Sequence, residues 1–155
     1  MSIDSRQVAA GILDAVPFAR TLGIEFVEVA PEAEGGVRVV ARLPDIAAHH
    51  NHLGGPHAGA MFTLGESASG AVVLAAFGHV LDRAVPLPVT ASVHFRKIAM
   101  GPVLATARLG GVPAEVLAEL DAGRRPEFPV EVEVRTEDGT LTSSLTVIWT
   151  LRPNR

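Results

Sequence analysis

The sequence predicts an α+β domain in which an antiparallel sheet of about six strands wraps around one long central helix. Two observations carry this. Residues Ala58 to Phe77 are small and apolar almost all round, which suits a helix buried inside a protein better than one lying on its surface. Two strand-like runs precede that helix and four follow it, and runs of strands segregated around a helix belong to α+β architecture.

Composition narrows the class. The chain has 155 residues, 48% of them apolar, and a formal net charge of −4. That suits one folded domain over residues 1–155 and argues against a disordered chain. It also lacks the basic footprint of a nucleic-acid binder, so no nucleic acid is expected as a partner. There is no cysteine, so disulfides, a thiol nucleophile and thiolate-held zinc are excluded together. The start, Met1-Ser2-Ile3-Asp4, has an early acid and no apolar core, unlike a secretory signal, and a cytoplasmic location is expected. Ala58 to Phe77 is long enough to span a bilayer. Glu66 lies near its centre and no Lys or Arg flanks it, so no membrane span is expected.

The elements follow in order. Ser5 to Val16 places Val8, Ala9, Ile12 and Val16 at helical spacing, and Pro17 ends the pattern. Ile24 to Val29 alternates and reads as a strand; Glu34-Gly35-Gly36 is a turn, and Val37 to Leu43 returns as the second arm of a hairpin. A loop rich in His and Gly runs from Pro44 to Pro56, then the long helix from about His57 to Phe77. Val89 to Ile98 reads as a strand with Val89, Ala91, Val93 and Phe95 on one face. Val103 to Leu109 follows the Gly101-Pro102 turn. A small helical insertion at about 112–123 is closed by Gly123. Val130 to Arg135 and Leu141 to Leu151 are joined by Asp138-Gly139, a strong hairpin signal. A single curved sheet cannot cover all that it exposes, so a homodimer or homotetramer is expected.

Chemistry concentrates between Asn51 and Glu66. The loop Asn51-His52-Leu53-Gly54-Gly55-Pro56 runs into His57-Ala58-Gly59-Ala60 at the start of the helix. N–H groups in a first helical turn have no internal partner, and the helix dipole adds positive charge there. Small residues allow a substrate close to that backbone, so a carbonyl oxygen could be polarised and its developing charge held. Glu66 lies eight residues past Ala58, roughly 12 Å along the axis. One reacting carbon cannot touch both within a chain. Two antiparallel helices across a dimer would bring the N-terminus of one to Glu66 of the other.

Asn51, then His57-Ala58-Gly59, then an acid nine residues after the histidine, together with Val93-His94-Phe95-Arg96-Lys97 on the strand after the helix, resembles the PaaI-like acyl-CoA thioesterases of the phenylacetate-pathway type. These have the hotdog fold, and the resemblance runs from about Pro17 to Leu151 in element order. It implies hydrolysis of an acyl-CoA thioester to free acid and CoA. CoA would enter as part of the substrate, with no separate cofactor and no metal. At matched positions, Ala58 N–H would bind the thioester carbonyl, Asn51 would position water or the carbonyl, His57 would shape the loop and bind near the thioester, and Glu66 would be general base or nucleophile. Both roles need an ionised carboxylate, so both stay open.

Two departures bear on rate and substrate. Ala58 stands where the family motif has glycine. Gly70 stands where one branch has a hydroxyl residue four positions after the acid, which leaves Ser67 or Ser69 as substitutes. Gly59 and Phe62 are expected to touch substrate, with Phe62 helping to set pocket width. Arg96 and Lys97 are candidates for the CoA phosphates, Arg offering bidentate geometry, against a solvated strand end. Asn51 has a bracing role as an alternative. His49, His50, His52 and His57 lack metal-site spacing and read as loop residues. Competing functions are a non-catalytic acyl-thioester binding or sensor protein, and a hotdog enoyl-CoA hydratase.

Overall fold

The computed structural model describes residues 4–155; the reading of Met1 to Ile3 as no signal segment lies outside the described residues. The elements are α1 (Ser5–Ala15), α2 (Pro17–Thr21), β1 (Glu25–Pro31), β2 (Val37–Leu43), α3 (Ala58–Phe77), β3 (Ala84–Phe95), β4 (Val103–Leu109), α4 (Pro113–Asp121), β5 (Glu127–Thr136) and β6 (Leu141–Pro153). The six strands form one sheet in the order β1-β2-β4-β5-β6-β3. Every neighbouring pair is antiparallel. β3 sits at the far edge from β2, so α3 must cross the whole sheet between them.

That crossing explains why α3 is apolar all round. Alternate residues of four strands point at it and are buried, among them Val39, Ala41, Ala105, Val132 and Val147. Small residues on both sides, Gly65, Ala68 and Ala71 on the helix and Ala41, Ala105 and Ala107 on the sheet, let the layers approach closely. A Cβ on Gly65 would come within 2.9 Å of the Leu145 side chain. The helix is long and apolar enough to cross a membrane by length and composition, but here that character is used up against the sheet. At its C-terminal end Phe77 is fully buried, its ring centroid 5.0 Å from that of Phe128. Phe77→Ala is expected to cost about 3–5 kcal/mol, from lost transfer energy plus an unfilled cavity, read as a lowered denaturant midpoint with unchanged m-value.

Proline accounts for three boundaries that differ from the sequence reading, the starts of α2, β3 and β5. Pro17 opens α2 at its first position, where its missing N–H costs nothing. β3 begins at Ala84 despite Pro86 and Pro88, because an edge strand has a side on which no N–H is needed. It also ends at Phe95, before Ile98, because the N–H groups of Arg96 and Lys97 both turn onto the Thr142 carbonyl (2.7 and 3.1 Å). β5 begins at Glu127 and contains Pro129, which lies past the last β4 pairing, Leu109 with Val130. The hairpin at Asp138-Gly139 is present. The Thr136 hydroxyl and Thr140 N–H donate to Asp138 and hold its carboxyl down to about 2.

Candidate active site

The loop before α3 is built on Asn51. Its Oδ1 accepts from the N–H groups of Leu53 (2.9 Å) and Gly55 (3.2 Å), and its Nδ2 donates to the Pro56 carbonyl (3.3 Å). Its backbone N–H donates to the Gly55 carbonyl at 2.8 Å. Within the chain, then, the Asn51 side chain braces the loop, and its carbonyl oxygen is already shared between two donors. Gly55 is buried against the segment after β3, where a Cβ would lie inside contact distance of the Ala99 carbonyl oxygen and 3.0 Å from the Met100 sulfur. This close approach is what requires glycine there.

His57 is the N-cap of α3. Its backbone N–H donates to the His49 carbonyl (2.7 Å) and its Nδ1 accepts from Gly59 N–H (2.8 Å). Accepting at Nδ1 puts the neutral ring's proton on Nε2. Gly59 N–H is therefore spent on the cap, while Ala58 N–H has no partner among the described residues. Ala58 and Gly59 are both exposed. Of the other histidines, His49 is buried, His50 Nε2 lies 2.6 Å from Asp45 Oδ1 and His52 is exposed.

One stripe of α3 escapes the sheet: Gly59, Phe62, Thr63, Glu66, Gly70 and Leu74 are the residues at helical spacing left at least partly open. α1 covers the far half, with Ile12 against Gly70 and Leu74 against Gly11. Glu66 sits just where that cover stops. It is half-buried, and its carboxylate has neither an ion pair nor a hydrogen bond among the described residues. Burial pushes its pKa up from the ordinary carboxyl value, because desolvation disfavours the charged form. The sign for stability follows. A raised folded pKa means that ionising Glu66 weakens the fold as pH rises through that pKa. Glu66→Gln should raise Tm at neutral pH, with the gain fading as pH falls through the carboxylate range; thermal melts of both proteins across pH 4–8 read this out.

The two serines do not join Glu66's open side. Ser69 is fully buried; its hydroxyl donates to the Glu66 backbone carbonyl (2.7 Å) and accepts from the Trp149 indole N–H (3.0 Å). Ser67 is buried, and its hydroxyl has no partner among the described residues. At Gly70, the space a side chain would take is bordered by the Trp149 ring, 3.6 Å from a hypothetical Cβ. Trp149 is thus a core residue whose one polar atom is satisfied through Ser69.

Two grooves flank the start of α3. One, of about 330 Å³, is lined by Asn51, Ala58, Met61, Phe95, Arg96 and Lys97 among others; the Arg96 guanidinium is held to the Ser144 hydroxyl (3.0 and 3.2 Å). The other, of about 520 Å³, lies between α2 and α3 and contains His57, Gly59 and Phe62. Asn51, Ala58, Arg96 and Lys97 therefore come together, and Phe62 and Gly59 lie on the opposite side of the same helix end. Sequence reasoning missed Phe18 and Leu22 in the second groove, and Leu53 and Ile98 in the first. For Phe18, Leu53 and Ile98 the signal is exposure of a large apolar side chain (Ile98 is 71% exposed), which no sequence pattern announces; Leu22 is partly buried against the core. A larger groove, about 720 Å³, lies beside α4 and carries Glu115, Glu119 and Glu127; none of the expected site residues line it. Arg125 also lines it, its Nε donating to the Thr150 hydroxyl at 3.2 Å.

Comparison with solved structures places this geometry in a known architecture. Pseudomonas aeruginosa PA5026, a protein of unknown function described as a probable thioesterase, is 24% identical, with 99% of each chain covered and a TM-score of 0.83. A thioesterase family protein from Silicibacter pomeroyi is 19% identical over 97% of this chain and 99% of that one, with a TM-score of 0.74. The Escherichia coli PaaI protein of the phenylacetic acid degradation operon is 15% identical over 97% of this chain and 96% of that one, at 0.71. These likenesses establish the hotdog fold. No curated protein matches the sequence. Residues 4–151 match the family model described as a domain of unknown function, DUF4442, and the chain belongs to that family.

Proposed function

We propose that this protein hydrolyses acyl-CoA thioesters as a homodimer, each site combining the α3 N-terminus of one subunit with Glu66 of the other. The observation that carries this reading is the Glu66 carboxylate: half-buried, unpaired, and placed on the one open stripe of an otherwise buried helix. A fold rarely retains such a group without use for it. Similar structures described as a probable thioesterase and as a thioesterase family protein support the reaction class.

The second subunit would dock at β3. This edge strand is exposed over most of its length, and Val89, Phe95 and the following Ile98 present apolar side chains to solvent. A long open edge invites pairing with another strand, and a second copy of this chain supplies one. In the proposed reaction the thioester oxygen accepts from Ala58 N–H. Water attacks the carbonyl carbon as the partner subunit's Glu66 takes its proton, the C–S bond breaks, and the CoA thiolate leaves and is protonated. If Glu66 attacks instead, an anhydride forms and water cleaves it, giving the same products. Lys97 and Arg96 would meet the CoA phosphates; no cofactor beyond the substrate's own CoA takes part.

One observation favours a second reading, an acyl-thioester binding protein. Asn51 and Ser69 are committed to bracing bonds, and the Thr63 hydroxyl, one turn before Glu66, donates to the Gly59 carbonyl, so these polar groups are already engaged within the chain. A thiol-release assay on short, long and aromatic acyl-CoA esters, run beside sedimentation analysis of the oligomer, separates the two. Turnover by a dimer or larger assembly supports hydrolysis; thioester binding without turnover supports the binding protein; a monomer with turnover removes the shared site.

A further inference from the structure

The two grooves at the start of α3 differ in a way that gives the substrate a direction. The groove beside β3 carries Arg96 and Lys97. The groove between α2 and α3 has no Asp, Glu, Lys or Arg in its lining, where Phe18, Leu22 and Phe62 stand beside three histidines and Thr63. The helix end separates them: Ala58 lines the cationic groove, while His57 and Gly59 line the apolar one.

Resting on the function proposed above, we infer that the thioester straddles the α3 N-terminus, with its CoA arm in the Arg96–Lys97 groove and its acyl group in the groove between α2 and α3, so that Phe18 of α2 and Leu22 just after it set which acyl groups are accepted. Three observations converge. The apolar groove adjoins the proposed oxyanion donor, since His57 and Gly59, which line it, flank Ala58 at the α3 N-terminus. Its lining offers an acyl chain apolar contact at Phe18, Leu22 and Phe62, which favours burial of an uncharged group. Its volume, about 520 Å³, is in the range of small-ligand pockets. The occupant is an uncharged aliphatic or aryl acyl group. α2 makes a natural selector: it is one short turn of helix started by Pro17, and Phe18 stands 57% exposed over the groove, so its side chain can change without disturbing the sheet.

The test uses S-alkyl-CoA thioethers, which cannot be hydrolysed, so it reads the acyl groove independently of turnover. Affinities of ethyl-CoA and octyl-CoA are measured by calorimetry for the wild type, Phe18→Trp and Leu22→Trp. The expected result is tighter binding of octyl-CoA to the wild type, and an octyl-to-ethyl affinity ratio that falls about tenfold in the variants, the scale on which an apolar pocket reads chain length. An unchanged ratio in both variants overturns the inference, as does a wild type that binds neither thioether or binds both equally. Loss of turnover in Glu66→Gln is a separate readout: it tests the hydrolytic reading and leaves the ratio untouched.

Discussion

Glu66→Gln is expected to lower kcat by about 10²- to 10⁴-fold with little change in KM, the contribution typical of a positioned general acid–base group. The amide keeps the shape and half-burial of the side chain while removing its basicity. Because the variant should be more stable than the wild type near neutral pH, lost activity would not be attributable to unfolding. A partner experiment tests the shared site. Ala58 is the first residue of α3, a position where proline is favoured. His57 before it has φ −62° and ψ 143°, the conformation that a residue preceding proline adopts. Ala58→Pro therefore removes one N–H with little cost to the helix, and loss of one oxyanion donor should lower kcat by about 10²- to 10³-fold. Mixed dimers of Glu66→Gln and Ala58→Pro contain one site with both groups intact, so activity should return on mixing. If each site lay within one chain, mixing would restore nothing.

Gly55→Ala is expected to damage stability and activity together. The added methyl would press on the Ala99 carbonyl oxygen, a backbone atom that cannot swing aside, and overpacking of this kind costs about 1–3 kcal/mol or more. Relief requires the loop to move off the segment after β3. That movement strains both Gly55–Asn51 backbone and side-chain bonds and so shifts the end of α3. A lowered denaturant midpoint should accompany a fall in kcat/KM. Gly111→Ala is the matched control: nothing lies within 4 Å of a Cβ there, so its midpoint should stay close to that of the wild type. Equal midpoints for the two variants would show that the loop yields freely and is not a rigid platform.

Much of this protein is legible from residue order alone. Period-two runs located β2 and β4 to the residue, Asp138-Gly139 located the last hairpin, and the all-round apolar character of 58–77 announced a helix enclosed by a sheet. The candidate loop was legible too, because a Gly-rich turn entering a helix leaves N–H groups without partners whatever the rest of the fold does. What residue order alone could not decide was how each side chain is occupied. Asn51 and the two serines are polar groups of the same rank in the sequence, yet one braces a loop, one lies buried without a partner and one is bonded on both sides to Trp149 and Glu66, eighty and three residues away. Strand limits at Pro86, Pro88 and Pro129 were hidden for the same reason: whether a missing N–H matters depends on which strand lies alongside. Local pattern determines the elements because the forces that shape them act over a few residues. The tertiary structure decides exposure, pairing and the open stripe holding Glu66, because those depend on contacts between residues far apart in the chain.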